Sequence, residues 1–134
     1  MDHKITYYED GSKNSEYWYQ NGKLHRLDGP AAIYYDNSSN KLSESWYQNG
    51  QLHRLDGPAV IDYYTCENYY YINGKGLTKE QFKLYLNTYV KQIKTELNLY
   101  FNDVNLIPIV TVNAILPKYA LDNPIRANPS LATT

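Results

Sequence analysis

Short stretches in which apolar and polar residues alternate fill the first 76 residues, and Asn-Gly pairs interrupt them. Alternation with a period of two is typical of β-strands that have one buried face. Asn21-Gly22, Asn49-Gly50 and Asn73-Gly74 predict hairpins, because both residue types tolerate the positive φ that a type I′ turn requires. We therefore expect about six strands that pair with their sequence neighbours as an antiparallel meander. They cover roughly residues 4–8, 16–20, 31–35, 42–48, 59–64 and 69–72.

The apolar spacing changes after Gly76. From residue 82 to residue 101, apolar side chains recur at i, i+3, i+4 and i+7, which is typical of an amphipathic helix. Thr78 and Gln81 have the spacing of a capping box. We expect a helix near 78–101 that packs on the apolar face of the sheet, because so many apolar side chains are costly to leave in water.

The last segment, 103–134, is rich in proline and asparagine but still apolar. Residues 104–116 have the composition of one short strand, whereas the Asn-Pro pairs at 123–124 and 128–129 disfavour regular structure. Disordered tails usually carry more charge and fewer aliphatic residues. We therefore expect this tail to lie either on its own domain or on a partner molecule.

These segments together predict an α+β fold. It consists of an antiparallel β-meander of stacked hairpin repeats, one amphipathic helix and an extended C-terminal tail. The expected boundaries are 1–76 for the hairpin repeats, 77–102 for the helix packed on the sheet, and 103–134 for the Pro/Asn-rich tail.

One block of sixteen residues occurs twice, as WYQNGKLHRLDGPAAI from Trp18 and as WYQNGQLHRLDGPAVI from Trp46. A catalytic site needs one copy of its residues, whereas a stacked architecture needs its unit repeatedly. A comparison of the copies predicts one buried side of the returning strand and one exposed or loosely packed side. The buried side carries Ala31, Ile33 and Tyr35 with Ala59, Ile61 and Tyr63, and the other side carries Ala32 and Tyr34 with Val60 and Asp62.

Each copy also contains a polar cluster that ends in Asp-Gly-Pro. Equivalent residues of successive two-strand units lie about 10 Å apart, so one metal ion cannot join the two histidines. General acid–base work by His25 with Asp28 is possible, but its duplication does not suit a single active site. We therefore interpret both clusters as structural corners of the repeat and expect no metal and no cofactor. The corner residues are His25, Arg26, Asp28, Gly29 and Pro30, with His53, Arg54, Asp56, Gly57 and Pro58.

Tyrosine is abundant, with 16 residues in a chain of 134. Tyrosine is enriched at protein interfaces because it buries a large area with few rotatable bonds and keeps a polar tip. Aromatic platforms also stack on sugars and bases, and ordinary cross-strand pairing is a third interpretation. The predicted binding residues are Tyr17, Tyr34, Tyr64, Tyr69, Tyr119 and Arg126.

Charge and hydropathy exclude several classes of protein. The formal net charge of −1 gives no support for capture of a nucleic-acid backbone. No stretch approaches the ~20 apolar residues of a membrane span, and the N-terminus has no apolar run of a secretory signal. Cys66 is the single cysteine, so no intrachain disulfide can form. We expect a soluble protein that binds neither nucleic acid nor membrane.

The repeated W-Y-x-N-G-x-L-H-R-x-D-G-P-A unit resembles a repeat found in uncharacterised small proteins of bacteriophages and large DNA viruses. It is more loosely similar to MORN-type hairpin repeats, whose units carry an aromatic residue, a turn and a glycine. The resemblance implies a scaffold or contact surface and supplies no catalytic residue. Some MORN-type proteins associate with membranes, but here Asp-Gly-Pro replaces the usual continuation.

We therefore expect a non-enzymatic protein–protein interaction protein of viral or phage type. Its partner would be a virion component or a host factor that it inhibits, and its location the virion or the host cytoplasm. A homo-oligomer is left open. The alternative function is a glycan- or small-ligand-binding module that uses a Tyr/Trp platform. A weaker alternative is a hydrolase or nuclease that depends on His25 or His53.

Overall fold

The computed structural model describes residues 1–98 of the chain. The chain divides into two units, Met1–Thr78 and a second unit that begins at Lys79. The predicted tail, the predicted binding residues Tyr119 and Arg126, and the end of the predicted helix at 99–101 lie outside the described residues.

The first unit consists of antiparallel β-structure. Its strands are β1 (Asp2–Tyr7), β2 (Lys13–Gln20), β3 (Lys23–Leu24), β4 (Ala32–Tyr35), β5 (Lys41–Ser45), β6 (Tyr47–Gln48), β7 (Gln51–Leu52), β8 (Val60–Asp62), β9 (Glu67–Ile72) and β10 (Lys75–Leu77). In the main sheet the order is β1-β2-β4-β5-β8-β9-β10, and β3 pairs with β2. Strands β6 and β7 form a separate two-stranded ladder. The predicted antiparallel pairing of sequence neighbours is confirmed for β1-β2, β4-β5 and β8-β9.

The structure has ten strands among its described residues, whereas the sequence predicted about six. The additional strands are two- and three-residue segments beside the Asn-Gly turns, too short to show an alternating pattern. The predicted strand 42–48 is divided at Trp46, whose backbone bonds the corner instead of a neighbouring strand. Its N–H donates to the carbonyl of Ala59 at 2.8 Å, and its carbonyl accepts from the N–H of His53 at 3.0 Å.

The three Asn-Gly turns have the backbone conformation that the sequence predicts. In each, both residues have positive φ, for example 51° at Asn49 and 82° at Gly50. The positive φ matches the twist of hairpin strands, and asparagine and glycine reach it at least cost. This prediction is confirmed.

The side chains that the sequence assigned to the buried side follow that assignment only in part. Ala31, Ala59 and Ile33 are buried, but Tyr35 is half-buried and Tyr63 is exposed. Ala32, which was expected on the looser side, is also buried. Its position explains the difference, because Ala32 lies in the middle of the sheet, directly opposite Tyr17 on one side and Ser45 on the other.

The second unit begins with helix α1 (Lys79–Asn98), so the predicted helix is confirmed over its described length. Thr78, the predicted cap, immediately precedes it. Four side chains one to two turns apart are buried: Phe82, Tyr85, Tyr89 and Ile93. The rings of Tyr85 and Tyr89 stack with centroids 5.9 Å apart. The fold is thus mostly antiparallel sheet with a following helix, and packing of the helix on the sheet stays a prediction.

Candidate functional site

His25 and His53 each hold the turn of the next hairpin along the chain. Both imidazoles are buried, with 4 % and 3 % of the residue exposed. Nδ1 of His25 accepts a hydrogen bond from the backbone N–H of Asn49 at 3.0 Å. Nδ1 of His53 accepts the equivalent bond from Asn73 at 3.0 Å. The two rings have separate partners, and each joins consecutive hairpins.

A backbone hydrogen bond lies beside each of these histidine contacts. The N–H of Gly50 donates to the carbonyl of Leu24 at 2.8 Å, and the N–H of Gly74 donates to that of Leu52 at 2.8 Å. Each Asn-Gly turn after the first is thus bound twice by the preceding copy. The same contacts recur because the same residues recur 28 residues later in the sequence.

The imidazole of His53 is held in its neutral form. Burial lowers the pKa of His53 to about 4, and the hydrogen bond from Asn73 opposes this shift only weakly. Because Nδ1 accepts a hydrogen bond, the proton of the neutral ring lies on Nε2. Nε2 is buried and has no hydrogen-bond partner among the residues that the structure describes. Such a ring is suited to a structural role within the normal pH range.

Arg26 fastens the corner of the first copy. Its guanidinium carbon lies 4.0 Å from the centre of the Trp18 ring, a cation–π contact. Its Nε donates to a carboxylate oxygen of Asp28 at 2.9 Å, and its Nη1 donates to the carbonyl of Pro30 at 3.3 Å. The arginine beside Asp28 holds the pKa of that carboxyl below its usual value.

Arg54 makes the same three contacts in the second copy: with Trp46 at 3.8 Å, with Asp56 at 2.8 Å and with the carbonyl of Pro58 at 3.2 Å. The glycine of each Asp-Gly-Pro segment leaves room for the guanidinium. A Cβ at Gly29 would lie 3.0 Å from the guanidinium carbon of Arg26, and a Cβ at Gly57 would lie 3.3 Å from that of Arg54. Glycine is therefore required here by close approach.

A second repeated contact was missed by the sequence analysis. Glu16 is buried on β2, where it accepts hydrogen bonds from Lys13 Nζ at 2.7 Å and from the Tyr35 hydroxyl at 2.7 Å. In the second copy, Glu44 is buried and accepts from Lys41 and from the Tyr63 hydroxyl, the latter at 2.7 Å. The signal was the pattern Lys-x-Ser-Glu at 13–16 and 41–44, just before the block that was compared.

These carboxylates are ionised and internally neutralised. Burial alone would raise the pKa of Glu16, but hydrogen bonds from Lys13 and Tyr35 outweigh it and lower the pKa below its ordinary value. The pKa of Glu44 is lowered in the same balance between burial and its bonds with Lys41 and Tyr63. Both glutamates are thus engaged in contacts between neighbouring strands.

Four tyrosines converge on one face of the sheet: Tyr17, Tyr19, Tyr34 and Tyr47, which we name the tyrosine cluster. The rings of Tyr17 and Tyr34 meet edge to face with centroids 5.8 Å apart, and Tyr17 and Tyr19 are 6.2 Å apart. A hydrogen bond with Tyr17, followed by burial, raises the pKa of Tyr34 to about 12, with smaller contributions from Tyr47 and Tyr19. Tyr34 nevertheless keeps 40 % of its surface exposed.

The structure brings together only two of the predicted binding residues. Tyr17 and Tyr34 are in contact, whereas Tyr69 lies on β9, three strand positions from β4 and therefore about 14 Å away. Tyr64 is 86 % exposed in the turn between β8 and β9. Tyr19 and Tyr47 belong to the cluster but were not predicted as binding residues, although both directly follow the tryptophans of the repeat.

Metal and membrane sites were searched within residues 1–98. No group of three or more His, Cys, Asp or Glu side chains with the arrangement of a metal site occurs among them. No helix within that part of the chain has the length and apolar character needed to cross a membrane. No protein-family model, no curated protein and no solved structure matches this chain.

Proposed function

We propose that this chain is a non-enzymatic protein–protein interaction protein whose contact surface is the tyrosine cluster. In this proposal the two copies form stacked hairpin repeats that hold the cluster rigidly. The resemblance of the repeat unit suggests a viral or phage protein that contacts a virion component or inhibits a host factor. Its location would be the virion or the host cytoplasm.

The observation that carries the proposal is that the cluster is not duplicated. Tyr17 and Tyr34 correspond to Ser45 and Asp62 in the second copy, at the same register positions of the sheet. The second copy forms the same strands and the same clamps without those rings. A residue pair that the repeat does not need for its framework is available for a function.

The chemistry of the cluster suits a protein partner. Its rings are partly fixed by one another, so binding immobilises few additional rotors. Aromatic residues concentrated at one place are typical of the few residues that dominate an interface energetically. The uncharged hydroxyls supply hydrogen bonds without the desolvation cost of a charge.

The histidines give less support to a hydrolase or nuclease. A general base needs a free nitrogen within reach of a substrate proton. Nδ1 of His25 and Nδ1 of His53 both accept backbone hydrogen bonds, and both rings are buried. Their duplicated contacts favour a structural role.

A glycan- or small-ligand-binding module is the second candidate. The proximity of several tyrosine rings and the hydrogen bond between Tyr17 and Tyr34 favour it. A sugar needs an aromatic face together with hydroxyl donors and acceptors, and the cluster offers both.

The test uses the double variant Tyr17→Ser with Tyr34→Asp, which gives the first copy the residues of the second. Wild-type and variant proteins are used in parallel for affinity capture from the native source. Each captured protein is then purified and titrated with both proteins by calorimetry. We expect one partner whose affinity falls at least roughly tenfold with the variant.

Two matched controls separate the cluster from other surfaces. Tyr64→Ala changes an exposed tyrosine outside the cluster and should leave the affinity unchanged. Deletion of 117–134 tests whether the tail adds contacts of its own. A purified partner that binds the double variant as tightly as wild type would overturn the proposal, and tyrosine-dependent binding of a glycan without any protein partner would establish the second candidate.

A further inference from the structure

Three strands of the sheet are equivalent members of the repeat. Strands β1, β4 and β8 each place an isoleucine opposite the same position of the following strand. These cross-strand pairs are Ile5 with Glu16, Ile33 with Glu44, and Ile61 with Asn68. The sheet therefore extends the 28-residue pattern to β1 at one end and to β9 at the other.

Inside the sheet, strands of these two types are joined through a second junction. β4 also pairs with the preceding β2, where Ile33 lies opposite Glu16, and β8 pairs with the preceding β5, where Ile61 lies opposite Glu44. Among the residues described, β1 pairs only with β2. Likewise β10 pairs with β9 only at residues 70–72. Strand β1 and residues 67–69 of β9 are thus the two unpaired halves of this same junction.

The exposure of these residues agrees with unpaired halves. Tyr7 is equivalent to Tyr35 and Tyr63, and it is 61 % exposed. Asn68 is exposed although its equivalents, Glu16 and Glu44, are buried. The neighbours of Asn68 on β9 are exposed as well.

We propose that β1 of one molecule pairs antiparallel with residues 67–69 of a second copy, so that the sheet continues from chain to chain. The internal junctions define the register. Ile5 would lie opposite Asn68 of the second copy, with Lys4 opposite its Tyr69 and Thr6 opposite its Glu67.

The backbone groups needed for this ladder point outward from β1. The N–H of Trp18 donates to the carbonyl of Ala31, so even-numbered residues of β2 bond β4 and odd-numbered ones bond β1. The β1 residues opposite those odd positions are Asp2, Lys4 and Thr6. The backbone N–H and C=O groups of His3, Ile5 and Tyr7 therefore face the free edge.

Side chains also fit this pairing. The hydroxyls of Tyr35 and Tyr63 donate to the glutamate of the preceding copy. In the proposed junction the Tyr7 hydroxyl would donate to the amide oxygen of Asn68. Lys4 would lie diagonal to Glu67, where a long cation and a carboxylate attract each other. A second copy is therefore the occupant that this edge fits, because one chain carries both halves.

Such a contact is head to tail and produces open chains of molecules rather than a closed dimer. Sedimentation velocity of the full chain over a wide concentration range should show a mass that rises continuously. Ile5→Pro removes an outward N–H of β1, and Asn68→Pro removes the equivalent N–H of β9. Each variant alone should associate roughly a hundredfold more weakly than wild type.

Mixing the two proline variants is the decisive experiment. Ile5→Pro retains an intact β9 and Asn68→Pro an intact β1, so a mixture should form a one-to-one dimer that cannot grow. Monomers in the mixture, or a wild-type protein that is monomeric at every concentration, would overturn the proposal. A dimer of Asn68→Pro alone would show β1 pairing with itself and would equally refute it.

A second pair of variants keeps the test valid if a proline prevents folding, which circular dichroism would reveal. Lys4→Glu and Glu67→Lys should each weaken association, and an equimolar mixture of the two should restore it. Failure of restoration by folded variants would contradict the register. The Tyr17→Ser, Tyr34→Asp protein should associate like wild type, so this result is independent of the proposed function.

Discussion

The two copies of the repeat, Lys13–Tyr35 and Lys41–Tyr63, share their clamps and differ in their tyrosines. Both contain the tryptophan–arginine stack, the buried glutamate with its lysine and tyrosine, and the histidine that binds the next turn. Only the first carries Tyr17 and Tyr34. The comparison shows that what is repeated builds the framework, and that binding is best sought in what is not repeated.

Even an identical residue differs between the copies when its surroundings differ. Leu27 and Leu55 occupy the same position of the Asp-Gly-Pro corner, yet Leu27 is 46 % exposed and Leu55 only 4 %. Local sequence cannot produce this difference, because the flanking residues are the same. It depends on what lies against each corner in the folded molecule.

The largest expected effect is acid destabilisation through His53 in the second copy. Its folded-state pKa of about 4 lies below the ordinary value of 6.5, so the unfolded chain takes up a proton before the folded chain does. This contribution is complete above about pH 6.5 and is lost as the pH falls toward 4, by about 3 kcal/mol in total. Urea unfolding at several pH values measures it.

The matched control for this prediction is His53→Gln, which removes the titrating group. The difference in unfolding free energy between wild type and the variant should become smaller as the pH falls from 6.5 to 4. A difference that is constant over this range would show that the imidazole does not titrate as expected.

Removal of the arginine clamps should have the next largest effect. Arg26→Ala and Arg54→Ala each lose a cation–π contact and hydrogen bonds to a carboxylate and a carbonyl, and each should lower the unfolding free energy by about 2 kcal/mol. The two losses should be similar, because the contacts are the same. Denaturant unfolding of both variants tests this, and Arg54→Lys should not restore stability, since lysine lacks the planar fork. Clearly unequal losses would break the equivalence of the copies.

The buried glutamates should contribute less than the arginines. Glu16→Gln and Glu44→Gln retain the shape of the side chain but replace a charged acceptor with a neutral one. Each should therefore lower the unfolding free energy by about 1 kcal/mol. Thermal unfolding by calorimetry measures both variants, and a gain in stability would show that burial of these charges costs more than their partners return.

The smallest effect on stability is expected for the tyrosine cluster. Tyr17→Ser and Tyr34→Asp introduce the residues that the second copy already accommodates, so the change in unfolding free energy should stay within about 0.5 kcal/mol. Thermal melts of the double variant check this. A loss comparable with that of the arginine variants would mean that the rings are part of the core, and the distinction between framework and binding positions would then fail.

Several elements of this structure could be predicted from local patterns. Asn-Gly with flanking alternation identifies the hairpins, and the change to a 3.6-residue period identifies helix α1, because these signals depend on residues next to each other in sequence. The short strands at the turns could not be predicted, since two residues show no period. The role of Glu16 and Glu44 could not be predicted either, because their tyrosine partners lie 19 residues away on another strand.

The amino-acid sequence by itself determined the repeat, its turns, the pairing of neighbouring strands and the helix, because each rests on backbone preferences or on periodic burial within a few residues. Only the tertiary structure decided which nitrogen of each histidine is engaged, which tyrosines form a cluster and which equivalent leucine is buried. Those properties depend on contacts between segments 20 or more residues apart, as in the bond from Asn73 to His53, and such contacts exist only after the strands have assembled.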